Sequence, residues 1–270
     1  LLSQNFKLDQ IMLRIFNRTK IAILKIHGTI GSTVKYEQIY PLIRKIERNK
    51  SVKSLIIDIN SPGGGVTDSD LIFSALKKLN QKKPVISYVQ GIGASGGYLI
   101  ACSSNKIIAS EASIVGSIGV ISVRPMLVEF FKKIGIEVSV NKTGEFKDTG
   151  ASWRKQTKKE SEYLQEFIND YYSRFVEIVS KSRNIDIDHI KKIADGKIYW
   201  APKAKDIGLI DEIGDINTAI NYASNYTNSS KQTILFKPKV PILKKFFGNA
   251  ANSFYEEFIN KLSSEQIDLR

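Results

Sequence analysis

The 270-residue sequence is poor in several residue types that particular classes of site require. A single cysteine, Cys102, excludes an intramolecular disulfide and any zinc site built from cysteines. Two histidines, His27 and His189, argue against a histidine-rich metal centre. No stretch approaches the roughly 18 uncharged apolar residues that a membrane span requires. The Walker A pattern of phosphate-binding loops is missing, and no Gly-x-Gly-x-x-Gly follows the first apolar run.

The overall composition is that of a folded protein, with 42% hydrophobic and 25% charged residues. The length suits one large α/β domain or two smaller ones. Forty Lys and Arg residues against 27 Asp and Glu give a formal net charge of +13, which permits nucleic acid or an anionic membrane as partner without choosing between them. Because no basic-aromatic stripe or helix-turn-helix pattern is present, we expect no nucleic-acid partner. An enzyme or a binding module remains.

Apolar runs alternate with amphipathic stretches along most of the chain. The runs predict strands at 21–26, 55–59, 84–89, 106–109 and 137–140. The amphipathic stretches predict helices at 36–49, 68–79, 98–102, 125–134, 157–183, 188–194, 201–207 and 216–223. Thr67 with Asp70, and Thr157 with Glu160, have the spacing of capping boxes, and Phe175 belongs to the apolar stripe of the long helix. This order predicts an α/β fold with a mainly parallel sheet covered by helices.

Composition divides the chain into three parts. We predict an amphipathic segment at 1–20, a main domain at 21–226 and a basic extension at 227–270. The first segment either packs on the domain, which we favour, or lies near a membrane surface. The extension has a polar linker, then a basic apolar tail, then a terminal helix capped by Ser253 and Glu256. The tail suits an anionic bilayer surface, and a docked segment with a solvated basic face explains it equally well.

Two glycine turns follow two of the predicted strands, where open α/β sheets place their ligand sites. Gly63-Gly64-Gly65 ends the second strand, and the stretch 91–97 ends the third. Phosphate binding is a weak interpretation because the spacings do not match. The alternatives are an oxyanion hole of backbone N–H groups, or two tight turns without chemistry. Ser95, between small residues at a strand-to-helix turn, could be a nucleophile or a plain N-cap.

A nucleophilic serine requires a base, and histidine is a poor candidate here. His27 ends the first strand, His189 lies on an exposed-looking helix, and no histidine follows Ser95 within the next 90 residues. A lysine can accept the proton if burial lowers its pKa from about 10.4 to about 7–8, at a cost of roughly 3–5 kcal/mol. Composition alone does not select the lysine.

Several motifs in order resemble the signal peptide peptidase A family, the protease IV group of Ser-Lys peptidases, in its short bacterial form. The resemblance extends from about residue 21 to residue 219. The matching stretches include Ser61-Pro62-Gly63-Gly64-Gly65-Val66, Gly93-Ala94-Ser95-Gly96-Gly97-Tyr98, Gly116-Ser117-Ile118-Gly119-Val120 and Lys142-Thr143-Gly144-Glu145-Phe146-Lys147-Asp148.

The resemblance implies a catalytic role for five residues. Ser95 would be the nucleophile, and Lys147, 52 residues later, would be the general base. Ser117 would orient the lysine, and the backbone N–H groups of Gly64 and Gly96 would form the oxyanion hole. The implied reaction is peptide hydrolysis through an acyl-enzyme, with no metal and no cofactor.

The resemblance also implies the fold of Clp protease and crotonase, with repeated ββα units. It implies a ring-shaped homo-oligomer, typically an octamer, in which neighbouring subunits shape the substrate groove. The implied substrates are hydrophobic remnants of cleaved signal peptides, bound extended. We expect membrane association on the outer (periplasmic or extracellular) side of the cytoplasmic membrane, although the family's usual anchor is missing from this sequence. Residues 148–152 depart from the family pattern, which often has a bulkier residue and proline there, so the local loop is expected to differ.

Two alternatives on the same fold belong to other functional classes. A proteolytically silent, membrane-associated scaffold would be expected to have lost Ser95 or Lys147, and both are present. A crotonase-type acyl-CoA enzyme would require an acidic residue near the second glycine turn, where Glu111 is available in a plain loop. A Clp-like histidine triad fails because no histidine is suitably placed.

Overall fold

In the computed structural model, which describes residues 19–237, runs of branched apolar residues form an eight-stranded sheet. The strands are β1 (Lys20–His27), β2 (Val52–Ser61), β3 (Val85–Ala94), β4 (Lys106–Ala109), β5 (Ile114–Gly116), β6 (Ile198–Trp200), β7 (Glu212–Ile213) and β8 (Thr233–Phe236). Their order is β6-β5-β3-β2-β1-β8, with β4 between β3 and β7. Every pair is parallel except β5 with β6. The inner strands are apolar on both faces because a parallel sheet is covered on both.

Strand β3 has different neighbours on one edge along its length. Its first half, from Ile86 to Val89, pairs with β4, and its last residues, from Ile92 to Ala94, pair with β5. Its other edge pairs with β2. Ser95, the residue after Ala94, therefore lies at the end of β3 where β2, β3 and β5 meet.

Helices cover both faces of the sheet. They are α1 (Tyr36–Arg48), α2 (Val66–Asn80), α3 (Gly96–Ala101), α4 (Val128–Lys133), α5 (Lys158–Arg183), α6 (Ile187–Ile193), α7 (Ala201–Asp206) and α8 (Ile216–Thr227). The larger core includes Leu55, Leu76 and Ile100 from β2, α2 and α3. On the opposite face, Ala219 and Ala223 of α8 pack with isoleucines from the inner strands. The predicted α/β class with a mainly parallel sheet is confirmed.

One predicted capping box is confirmed, while another and one predicted strand are wrong. At the start of α5, the Thr157 hydroxyl oxygen accepts from the Glu160 N–H, and the Glu160 carboxylate accepts from the Thr157 N–H. Helix α2 instead begins after Gly65 with no side-chain cap, and Asp70 bonds Arg174 of α5. Residues 137–140 form no strand within the described chain, because their apolar side chains are exposed and no partner strand lies beside them.

The sheet extends past the predicted domain end at residue 226. Strand β8 pairs in parallel with β1 from Thr233 to Phe236, so this stretch belongs to the sheet and not to an appended tail. The amphipathic interpretation of residues 1–18, the tail beyond residue 237 and the terminal helix at Ser253 fall outside the described residues.

Candidate active site

The turn after β2 has a backbone path that requires glycine. Gly63 has φ +96° and Gly64 has φ +146°. Ile30 bridges this turn: its N–H donates to Gly63 O at 2.9 Å, and its carbonyl accepts from Gly65 N–H at 2.9 Å. A Cβ atom on Gly64 would lie 2.1 Å from Ile30 O. The turn is thus packed tightly against the Ile30 backbone with no space for a side chain.

Ser95 lies between β3 and α3 in a backbone conformation that is rare for any residue except glycine, with φ 51° and ψ −122°. Its N–H donates to Gly116 O at 2.8 Å, and its carbonyl accepts from Leu99 N–H at 2.9 Å. Ser95 occupies the N-cap position of α3, as one interpretation predicted, but its side chain makes no capping hydrogen bond. Strained backbone held in place by its surroundings is characteristic of functional sites.

The two glycine turns touch each other. A Cβ atom on Gly63 would lie 2.7 Å from Ser95 Cβ and 2.8 Å from Gly96 N. Among the hydrogen bonds found in residues 19–237, the N–H groups of Gly64 and Gly96 have no acceptor. Unbonded backbone donors beside a serine hydroxyl are the components of an oxyanion hole.

Ser117 follows β5 with φ 50°, a second strained serine. The other two non-glycine residues with positive φ in the described chain, Asn184 and Asn228, are left-handed C-caps, an ordinary position for asparagine. The Ser117 N–H donates to Lys197 O at 2.7 Å, just before β6. Among the described residues other than glycine, positive φ away from helix C-termini is therefore confined to these two serines.

Ser95 lines two neighbouring pockets. The first, of about 430 Å³, is lined by both oxyanion-hole candidates, by Leu99 and by residues of α5. The second, of about 770 Å³, is lined by Pro62, Ser117 and Ile121. Four of the five predicted site residues, Ser95, Ser117, Gly64 and Gly96, therefore lie together along these pockets. The α5 residues were missed from sequence, because the apolar stripe with Phe175 indicated only a core-facing helix.

Lys147, the fifth predicted residue, lies apart from this group. It is exposed, lines neither pocket and makes no hydrogen bond or ion pair with another side chain within residues 19–237. The described chain does not bring its ammonium group into contact with Ser95.

The backbone beside Lys147 is nevertheless anchored through Asp148. That carboxylate accepts from Arg154 at 2.7 Å and from Lys142 at 2.6 Å, and these bonds hold its pKa well below the usual range. Arg154 also binds Glu160 in the first turn of α5, which lowers the pKa of Glu160 in the same way. The Lys147 segment is thereby fixed to the start of α5.

Other titratable groups do not provide a better base. Lys197 lies next to the Ser117 loop, but Asp195 at 2.6 Å raises the pKa of Lys197, opposite to what a base requires. His27 contacts Asp58 at 3.2 Å and lines neither pocket, and His189 is exposed on α6. Within residues 19–237 no group of three or more His, Cys, Asp or Glu side chains could hold a metal ion.

A sequence profile of peptidase family S49 matches residues 77–230, more than half of the chain and all but one of the predicted site residues. The chain belongs to peptidase family S49. A Clp protease profile matches residues 4–115, so this S49 chain has the Clp protease and crotonase type of fold, as the resemblance implied.

Individual relatives agree with the S49 assignment. A Methanocaldococcus jannaschii protein provisionally named a protease is 41% identical over 72% of this chain. An Enterococcus faecium protein provisionally named signal peptide peptidase SppA is 32% identical over 80%, and the chloroplastic serine protease SPPA of Arabidopsis thaliana is 32% identical over 78%. The matches cover 62%, 66% and 33% of these relatives, so the S49 chain spans less than two thirds of each. Serine peptidase is the enzyme class that the comparisons support.

Proposed function

We propose that the chain is a serine endopeptidase with Ser95 as nucleophile. The observation that carries this proposal is the position of Ser95: a strained serine that lines two pockets, beside the unbonded N–H groups of Gly64 and Gly96. A serine in that position can attack a peptide carbonyl whose oxygen points toward both glycine turns.

The reaction proceeds through an acyl-enzyme. The Ser95 hydroxyl attacks the carbonyl carbon, and the two N–H groups stabilise the negative charge that develops on the oxygen. Lys147, as a neutral amine, takes the hydroxyl proton, returns it to the leaving amine and later deprotonates the water that releases the acid. Ser117 orients the lysine by hydrogen bonding. No metal or cofactor takes part.

A lysine base has to lose contact with water, because an exposed amine keeps its proton at neutral pH. We propose that neighbouring copies in a ring-shaped homo-oligomer cover Lys147 and exclude water from it. An octamer is the expected size of this ring. Supporting this, the segment from 121 to 146 exposes many apolar side chains, among them Ile121 and Val123, each 84% exposed, and Phe130, 56% exposed. Apolar surfaces of this kind mark interaction sites.

The substrates are extended hydrophobic peptides, such as the remnants of cleaved signal peptides. The apolar residues Val66, Leu99 and Phe175 in the first pocket suit apolar side chains. A relative named signal peptide peptidase agrees with this class of substrate.

We place the enzyme at the outer side of the cytoplasmic membrane, without a nucleic-acid partner. No helix among the described residues is both long and apolar enough to span a membrane.

The acyl-CoA alternative loses support at Glu111, which is exposed and lines neither pocket. A proteolytically silent scaffold is distinguished from a peptidase by measuring peptide hydrolysis.

The test is hydrolysis of a quenched hydrophobic peptide by the full chain and by Ser95→Ala and Lys147→Ala, with Lys155→Ala as matched control in the same segment. Both site variants should lose about 10²–10⁴-fold in kcat, while the control keeps its rate. Activity should rise between pH 6 and 10 as the ammonium group of the general base loses its proton.

Two results would contradict the assignment. Inactive wild type in its assembled form would favour the scaffold. A Lys147→Ala variant that keeps most of the rate would remove the lysine from the mechanism while leaving Ser95 in place.

A further inference from the structure

The first pocket lies where the side chain next to the attacked carbonyl has to go. Ser95, Gly64 and Gly96 all line it, so a carbonyl oxygen bound to the two N–H groups is at its entrance. The side chain of the same substrate residue then extends between α2, α3 and α5, where Leu99 and Phe175 form apolar walls.

A charged bridge crosses this pocket from α2 to α5. Arg174 donates from Nε and Nη2 to the same oxygen of Asp70, at 2.9 and 2.7 Å. Both residues line the pocket, and they are 104 residues apart in sequence. This is the one ion pair among the described residues in which both partners line the pocket at Ser95.

The bridge differs from the other walls because it can be removed without disturbing the core. The side chains of Asp70 and Arg174 are 31% and 53% exposed. Exposed ion pairs contribute little to folding stability, so variants are expected to fold. A long apolar substrate side chain that reaches the bridge would have to displace it, or exclude water from its two charged groups.

We propose that the Asp70–Arg174 bridge determines the size of the substrate residue accepted next to the scissile bond, excluding aromatic side chains in favour of small aliphatic ones. The inference rests on the proposed peptidase function and adds a specificity determinant to it. Arg174 does not touch the reacting atoms, so its removal should alter selection between substrates more than the turnover of a small one.

The experiment compares two peptides that differ only in alanine or phenylalanine at that position, using the full-length chain. Arg174→Ala should raise the phenylalanine-to-alanine ratio of kcat/KM about 10-fold, mainly through KM for phenylalanine. Asp70→Ala should act in the same direction, and the double variant should add little, because both changes remove one bridge. Arg174→Lys, which keeps the stem and the charge, should stay near the wild-type ratio. Glu177→Gln, which breaks the exposed Glu177–Lys181 pair on the same helix, is the matched control.

A second measurement separates this inference from the proposed activity. The affinity of both peptides is measured by fluorescence anisotropy in a Ser95→Ala background, with and without Arg174→Ala. An affinity ratio that shifts toward phenylalanine supports the bridge even if wild type hydrolyses neither peptide, a result that would overturn the peptidase proposal alone. An unchanged ratio in both assays, or an equal change in Glu177→Gln, overturns the role of the bridge.

Discussion

Replacing Ser95 by glycine should make the protein more stable than replacing it by alanine. At φ 51° and ψ −122°, any residue with a Cβ atom is strained, and alanine retains that atom. Glycine adopts this conformation without the steric cost. Both variants lack the hydroxyl, so their difference isolates the strain of the backbone from the loss of the nucleophile.

The magnitude follows from two opposing terms. A residue held in a sparsely populated region costs about 1–3 kcal/mol, which glycine recovers. Glycine also increases the conformational entropy of the unfolded chain, which offsets about 0.4–1 kcal/mol. The free energy of unfolding of Ser95→Gly should therefore exceed that of Ser95→Ala by about 1 kcal/mol, or a few degrees in Tm.

The assay is urea unfolding of both variants, followed by circular dichroism. Ser87 provides the control, because it is a fully buried serine in the middle of β3 with extended backbone. There glycine should be less stable than alanine by about 0.5–1 kcal/mol. If Ser95→Gly is no more stable than Ser95→Ala while the Ser87 pair behaves as expected, the turn at Ser95 holds no strain.

Three other predictions concern single residues. Gly64→Ala should lower kcat about 10²–10³-fold in the peptide assay, because a Cβ atom 2.1 Å from Ile30 O must displace the turn together with its N–H group. A normal kcat would show that Gly64 is not part of the oxyanion hole. Arg154 lowers the pKa of Glu160, so the stability that this carboxylate contributes is present above about pH 4.3 and lost as the pH falls below it. Urea unfolding should therefore show Glu160→Gln less stable than wild type at pH 7, with a difference that shrinks toward pH 3. A difference in unfolding free energy that stays constant with pH would refute the linkage. Burial raises the pKa of Cys102 to about 12, so a thiol reagent at pH 8 should label it only after unfolding, and rapid labelling of the native protein would show that the interior opens there.

The elements predicted best from sequence are those with strong local signals. Long apolar runs identified the inner strands, and the capping box at Thr157 and Glu160 located the start of α5. Strands β5 to β8 were missed because they contain two to four residues each and exist only through partners distant in sequence. The box predicted at Thr67 failed for a related reason, since Asp70 bonds a helix that arrives about one hundred residues later.

The candidate site likewise has features that the sequence predicted and features that only the fold creates. Glycine runs marked both turns, but their contact, with Gly63 against Ser95, depends on the alignment of β2 and β3. Positive φ at Ser95 and Ser117 has no signal in the residue type, since serine is common in ordinary turns. Lys147 was selected by resemblance alone, and the described chain leaves it exposed and outside both pockets.

Strand β3 belongs to two wings of the sheet at once. The β4 wing contains Ile108 of the smaller core and continues to β7, while the β5 wing leads to the Ser117 loop. Helix α7 packs against β7 of the first wing and against β5 and β6 of the second, so a shift in one wing is transmitted to the other. The Ser117 loop is therefore held from two directions, by the end of β3 through β5 and by α7.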